Sequence, residues 1–244
     1  MPLTGHLTEL RSRILLIIGT IFAVFLGTYF FSAELLELIQ RPIAKQKLVF
    51  LSPPEAFLAH LKVSFFAALF LSLPVILLQI WRFCAPGLLD KEKRYALPFV
   101  VLSTMCFVVG ALFCYFVILP FGLAFLLSFA TESLIPQISV GFYISFVFKL
   151  IFVFGLVFEL PLLIILLVQM GVLRPDQLTA NRGYVIVGAF VVGAVLTPPD
   201  VVSQVLLAGP LLVLYEVSVV AAKIIFRRKR RRAEAAEADE GGAA

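Results

Sequence analysis

The chain has 244 residues, 61% of them hydrophobic and 14% charged, with a formal net charge of +5. Soluble domains lie nearer half apolar, so this composition is that of a polytopic membrane protein and leaves no room for a soluble domain beside the spans. Much of the positive charge falls in one run near the C-terminus, which ties it to membrane topology rather than to nucleic acid.

The start, Met1 to Arg13, carries no small-residue cleavage site after its first apolar run and reads as an uncleaved beginning. Six apolar segments follow: Ile14–Phe31, Val63–Phe83, Ala96–Leu119, Phe146–Gln169, Tyr184–Thr197 and Val201–Ala222. Pro74 and Pro210 fall inside spans, where neighbouring helices or water can satisfy the freed carbonyls. Pro120 reads as the end of the third. The fifth, at roughly 21 Å, is short of the ~30 Å hydrocarbon core. The sixth opens with Ser203 and Gln204, so its apolar part is reduced too. Such a hairpin predicts local thinning of the bilayer, or water entry.

Orientation follows from lysine and arginine. With the N-terminus on side one, that side receives fifteen of the twenty basic residues, including Arg11, Arg13, Arg82, Lys91, Lys93, Arg94, Arg174 and Arg182. Side two receives Arg41, Lys45, Lys47, Lys62 and Lys149. The positive-inside rule makes side one cytoplasmic and puts both termini there. The expected organisation is a six-span domain over 1–226 and a basic-then-acidic tail over 227–244 that composition marks as disordered. Two outer connections are long, Ser32 to Lys62 and Pro120 to Ser145, and read as carrying short helices on the outer face. Ser52-Pro53-Pro54-Glu55 has the form of a helix start, with a serine cap, prolines in the first turn and an early acid.

Several acids stand out. Glu159 lies deep in the fourth span with no basic residue beside it, at a cost on the order of 3 kcal/mol on insertion scales. It reads as a proton relay, as a polar contact in a wet cavity, or as a protonated structural acid. Glu9 and Glu92 face side one. They read either as ordinary surface acids, Glu9 pairing with Arg13 one turn on, or as a pair that receives a cationic ligand such as arginine. Glu216 reads as snorkelling or pairing with Lys223. Asp200 with Ser203 reads as a cap on the sixth helix, while Gln204 would seek a partner helix if it faced lipid. The run from Lys223 to Arg232 reads as an anchor to anionic lipid. Cys84, Cys106 and Cys114 form no CxxC, and His6 and His60 have no metal spacing, so neither metal nor cofactor is expected. Nucleotide loops and nucleophile elbows are missing, which disfavours an enzyme.

These pieces resemble the TatC family, the multispanning subunits of twin-arginine protein translocases. The resemblance runs from Leu3 to about Lys223 and rests on five motifs. They are Leu3-x-x-His6-Leu7-x-Glu9-Leu10-Arg11; Ser52-Pro53-x-Glu55-x-Phe57; Pro74-x-x-x-x-Gln79-x-Trp81-x-Phe83-x-x-Pro86-Gly87-Leu88-x-x-x-Glu92; Phe158-Glu159-x-Pro161; and Thr197-Pro198-Pro199-Asp200-x-x-Ser203-Gln204. It departs from the family at Asn181-Arg182-Gly183-Tyr184, where more basic residues are usual. The resemblance implies an all-α concave bundle that binds twin-arginine signal peptides at the cytoplasmic face. It implies assembly with the single-span partners TatA and TatB, self-association, and export of folded proteins driven by the proton-motive force. Carried over residue by residue, Glu9, Phe83 and Glu92 would face the signal, and Glu159 would line a groove open to lipid. Thr197 and Gln204 would touch partner spans. Pro42, Ser52, Glu55 and Phe57 would belong to the outer loop. A competing reading is a small proton-coupled transporter using Glu159, which the lack of an internal repeat disfavours. A third is a structural scaffold.

Overall fold

The computed structural model describes residues 3–43, 46–84, 96–131, 133, 135–197 and 200–241. The chain divides into two compact units, Met1–Phe152 and Val153–Ala244.

In the first unit, α1 (Leu3–Phe30) packs along α3 (Pro53–Cys84). Thr28 and Ser64 are both buried at that seam, and the Thr28 hydroxyl donates to the Ser64 carbonyl at 2.9 Å. The rest of α1 is barely covered: Leu15, Ile18, Phe22 and Leu26 form an exposed stripe at helical spacing, which suits a helix whose solvent is lipid. Helix α3 is the unit's strut. It packs against α2 (Ser32–Gln40) and α4 (Ala96–Phe113). Phe66 stacks on Phe148 of α6 (Val140–Phe158) at 4.3 Å, Phe70 meets Phe107 edge-on at 5.2 Å, and Trp81 lies on Phe99 at 4.4 Å.

The third span does not stop at Pro120. Helix α4 runs into a π-helical turn (Cys114–Ile118) and continues as α5 (Leu119–Leu127). A proline ring clashes with the carbonyl four residues back and supplies no N–H. The π-turn widens the helix just there, and the Leu119 N–H reaches the Cys114 carbonyl five residues back. The apolar stretch thereby extends over Leu97–Leu127.

The fourth span is broken at Glu159. Helix α6 ends at Phe158 and α7 (Leu160–Gln169) begins just after, with Pro161 in its first turn. The Glu159 N–H bonds the Leu156 carbonyl, three residues back. Pro161 has no N–H to give, so the Val157 carbonyl loses its ladder partner.

In the second unit, α7, α8 (Pro175–Ala180), α9 (Arg182–Leu196) and α10 (Val201–Gly241) surround a core of Ile164, Val168, Leu178, Tyr215, Val219 and Ala222. The Tyr215 hydroxyl donates to the Leu178 carbonyl at 2.6 Å. Helix α9 has 15 residues and is short, as expected. Helix α10 differs from expectation: its apolar part, Val201–Arg228, is long enough to cross a membrane. Ser203 and Gln204 do not shorten it, because both side chains bond within the hairpin. The helix runs on through the basic run to Gly241. Composition pointed there to disorder, but alanine, glutamate and arginine are also strong helix formers.

Candidate functional site

Glu9 sits in the second turn of α1, and its Oε1 atom takes both bonds from Arg13, one of them from Nε at 3.1 Å. Arg13 is the hub. Its Nη1 donates to Gln79 Oε1 at 3.2 Å and its Nη2 to the Arg82 carbonyl at 3.2 Å. Gln79 is buried. One guanidinium therefore fastens the start of α1 to the last turns of α3, which also carry half-buried Phe83. The expected Glu9–Arg13 pair is present, and both of its contacts fall on a single carboxylate oxygen. Glu92, the expected second acid, lies outside the described residues.

Glu159 stands at the junction of α6 and α7, half-buried, with Oε1 sealed from solvent. The helix break places a carboxyl and a carbonyl freed from the helical ladder at neighbouring positions inside one apolar span. That spot is a polar feature the apolar run alone did not disclose.

The hairpin of α9 and α10 is held by the residues that sequence assigned to it. The Thr197 hydroxyl donates to the Gly193 carbonyl at 2.9 Å, ending α9. Gln204 Nε2 donates to the Phe190 carbonyl at 2.8 Å. A methyl group at Gly193 would lie 3.2 Å from the Gln204 side chain and 3.3 Å from its carbonyl, so the glycine permits this approach. Asp200 caps α10, as expected: Oδ1 accepts the Ser203 N–H at 2.7 Å and Oδ2 accepts the Ser203 hydroxyl. The hydroxyl bond foremost, then the backbone bond, hold the Asp200 carboxyl below the ordinary aspartate range. Glu216 pairs with Arg182 at 2.7 Å rather than with Lys223.

The outer-loop residues form a latch. Pro42 lies half-buried in a 3-10 turn (Arg41–Ile43) beside buried Ile43. Glu55, rather than the Ser52 side chain, closes the first turn of α3: its Oε2 accepts the Leu51 N–H at 2.6 Å. Its Oε1 accepts the Ser139 hydroxyl and the Gly141 N–H, the latter at 2.9 Å. A Cβ at Gly141 would stand 2.8 Å from that oxygen, so a side chain there would push the Glu55 carboxylate out of the latch. Beside the latch, β1 (Leu48–Val49) pairs in parallel with β2 (Ile138–Ser139). The hydroxyls of Tyr115 and Tyr143 donate to the Leu38 and Ile39 carbonyls at 2.6 and 2.8 Å. In the second outer connection the described residues carry the short helix α5, as expected, and the two-residue strand β2 as well. Ser52 and Phe57 are exposed. Ser139, Gly141 and the two tyrosines were not singled out from sequence, and no local motif marks them.

Residues 5–210 match the family of Sec-independent protein translocase proteins, TatC. The chain belongs to the TatC family. It is 42% identical to a TatC of Aquifex aeolicus over 239 residues, covering 94% of this chain and 98% of that protein. It is 39% identical to the TatC of Escherichia coli K12 over 238 residues, covering 96% and 92%. A crystal structure described as the twin-arginine translocase receptor TatC superposes with a TM-score of 0.80 at 41% identity, over 90% of this chain and 98% of that one. The same receptor in the detergent DDM gives 0.81. As a TatC-family member the chain is a multi-pass membrane component of a protein translocase and catalyses no covalent change. Among the described residues no cluster of histidine, cysteine or acids could hold a metal.

Proposed function

We propose that this chain is the receptor subunit that captures twin-arginine signal peptides at the cytoplasmic face of a prokaryotic inner membrane. The observation that carries the reading is the Glu9–Arg13–Gln79 constellation. It supports an end of the bundle built to hold a guanidinium: a carboxylate, a buried amide oxygen and a backbone carbonyl already surround one. Among the described residues Glu9 Oε2 carries no bond, so an incoming arginine can take it without displacing Arg13. Glu92 supplies the second carboxylate and Phe83 an apolar rest for the peptide. Both termini are cytoplasmic. Glu159 lines a groove along which the signal advances, while Thr197 and Gln204 mark where TatA and TatB spans dock. Gln204 has spent an amide N–H inside the hairpin, which leaves its oxygen for a partner. Export draws on the proton-motive force.

Photocrosslinking from positions 9, 83 and 92 to a twin-arginine precursor tests the capture. Strong adducts that disappear with a twin-lysine precursor are expected, because an ammonium cannot reproduce the planar fork. Equal adducts with both precursors would overturn the assignment.

A further inference from the structure

The outer-loop end of the first unit holds an apolar groove that the capture of signal peptides does not use. Leu38, Ala67, Phe70, Leu112, Tyr115 and Phe116 line it. Leu112 and Phe116 are exposed and belong to a membrane-spanning stretch, so the groove is open sideways at bilayer depth. Arg41 stands at one end of it. Its backbone N–H donates to the Leu38 carbonyl, and the Tyr115 hydroxyl donates to that same carbonyl. The Arg41 side chain is exposed and forms no ion pair among the described residues, although Glu37 precedes it by one helical turn.

We infer that this groove seats one acyl chain of an anionic phospholipid whose phosphate is bonded by Arg41. An acyl chain matches a wholly apolar lining at that depth, and a guanidinium offers phosphate two parallel donors. A helix is the poorer occupant. Helices pack closely in lipid where small residues let their backbones approach, and here phenylalanine, leucine and tyrosine dominate the walls. The cation supplies the selectivity that hydrocarbon cannot.

The test uses the full chain in mild detergent, with palmitoyl-oleoyl phosphatidylglycerol and phosphatidylcholine at equal concentration and native mass spectrometry to count retained lipid. Arg41→Gln is expected to lower retained phosphatidylglycerol about fivefold, the weight of one basic residue near an anionic surface. Leu112→Trp, which fills the groove, is expected to lower both lipids. Lys47→Gln, exposed on the same loop, keeps the wild-type pattern. The basic C-terminal run is present in every variant and cancels from the comparison. Melting temperatures establish that each variant is folded. Unchanged lipid retention in folded Arg41→Gln or folded Leu112→Trp overturns the proposal, as does displacement of phosphatidylglycerol by a hydrophobic single-span peptide.

Discussion

Glu55 gathers three donors from two connections, one of them 84 residues away in sequence. Glu55→Gln keeps the size but replaces a charged acceptor with a weaker neutral one. It is expected to lower the melting temperature in detergent more than Ser139→Ala, which removes one donor only. Equal values for the two variants would show that the charge contributes nothing. Asp200 gives a pH signature. Its folded carboxyl lies below the ordinary aspartate range, so its stabilisation is present above that range and is lost as pH falls through the folded value. Asp200→Asn is therefore expected to show a flatter melting profile in acid than the wild type, measured by thermal scans across descending pH. The cap was legible because its partners sit three residues apart. The latch was not: Ser139 and Gly141 find Glu55 only after two spans have folded, and no spacing rule reaches that far.

At the scale of elements, the α9–α10 hairpin depends on a close approach. Gly193→Ala would press a methyl against Gln204, an overpacking that typically costs about 1–3 kcal/mol. Gly188 has open space at the same helix, so Gly188→Ala is expected to leave stability unchanged or slightly improved. Chemical unfolding in mixed micelles separates the two. The short fifth span was readable from its length. The uninterrupted third span was not, because Pro120 signals an end when taken alone. The π-turn that absorbs it involves only Cys114 to Ile118, residues with no turn chemistry of their own. Likewise the break at Glu159 needed Pro161 and the backbone together. The apolar run gave only the depth of the acid.

At the scale of the whole molecule, hydropathy located the five described helices long enough to cross a membrane and the shorter apolar helix α9, while motif order pointed to the family to which the chain belongs. The first unit ends at Phe152 and the second carries Glu159, so the residues proposed for capture and the intramembrane acid fall in different units of the chain. Glu159→Ala is accordingly expected to retain signal crosslinks at positions 9 and 83 while impairing a later insertion or assembly step, read by transport of a folded reporter. Loss of the initial crosslink would place Glu159 in capture instead. The latch between the two outer connections also has a consequence in time. Ribosomes add roughly 5–20 residues per second, so the 84 residues from Glu55 to Ser139 take roughly 4–17 s to make. Through that interval the first connection has emerged, but its distant donors have not yet been synthesised. Only the bond to Leu51 is then within local reach. Newly inserted chains therefore pass through a stage in which this loop is open to proteases and chaperones, and the arrival of Ser139 and Gly141 closes it.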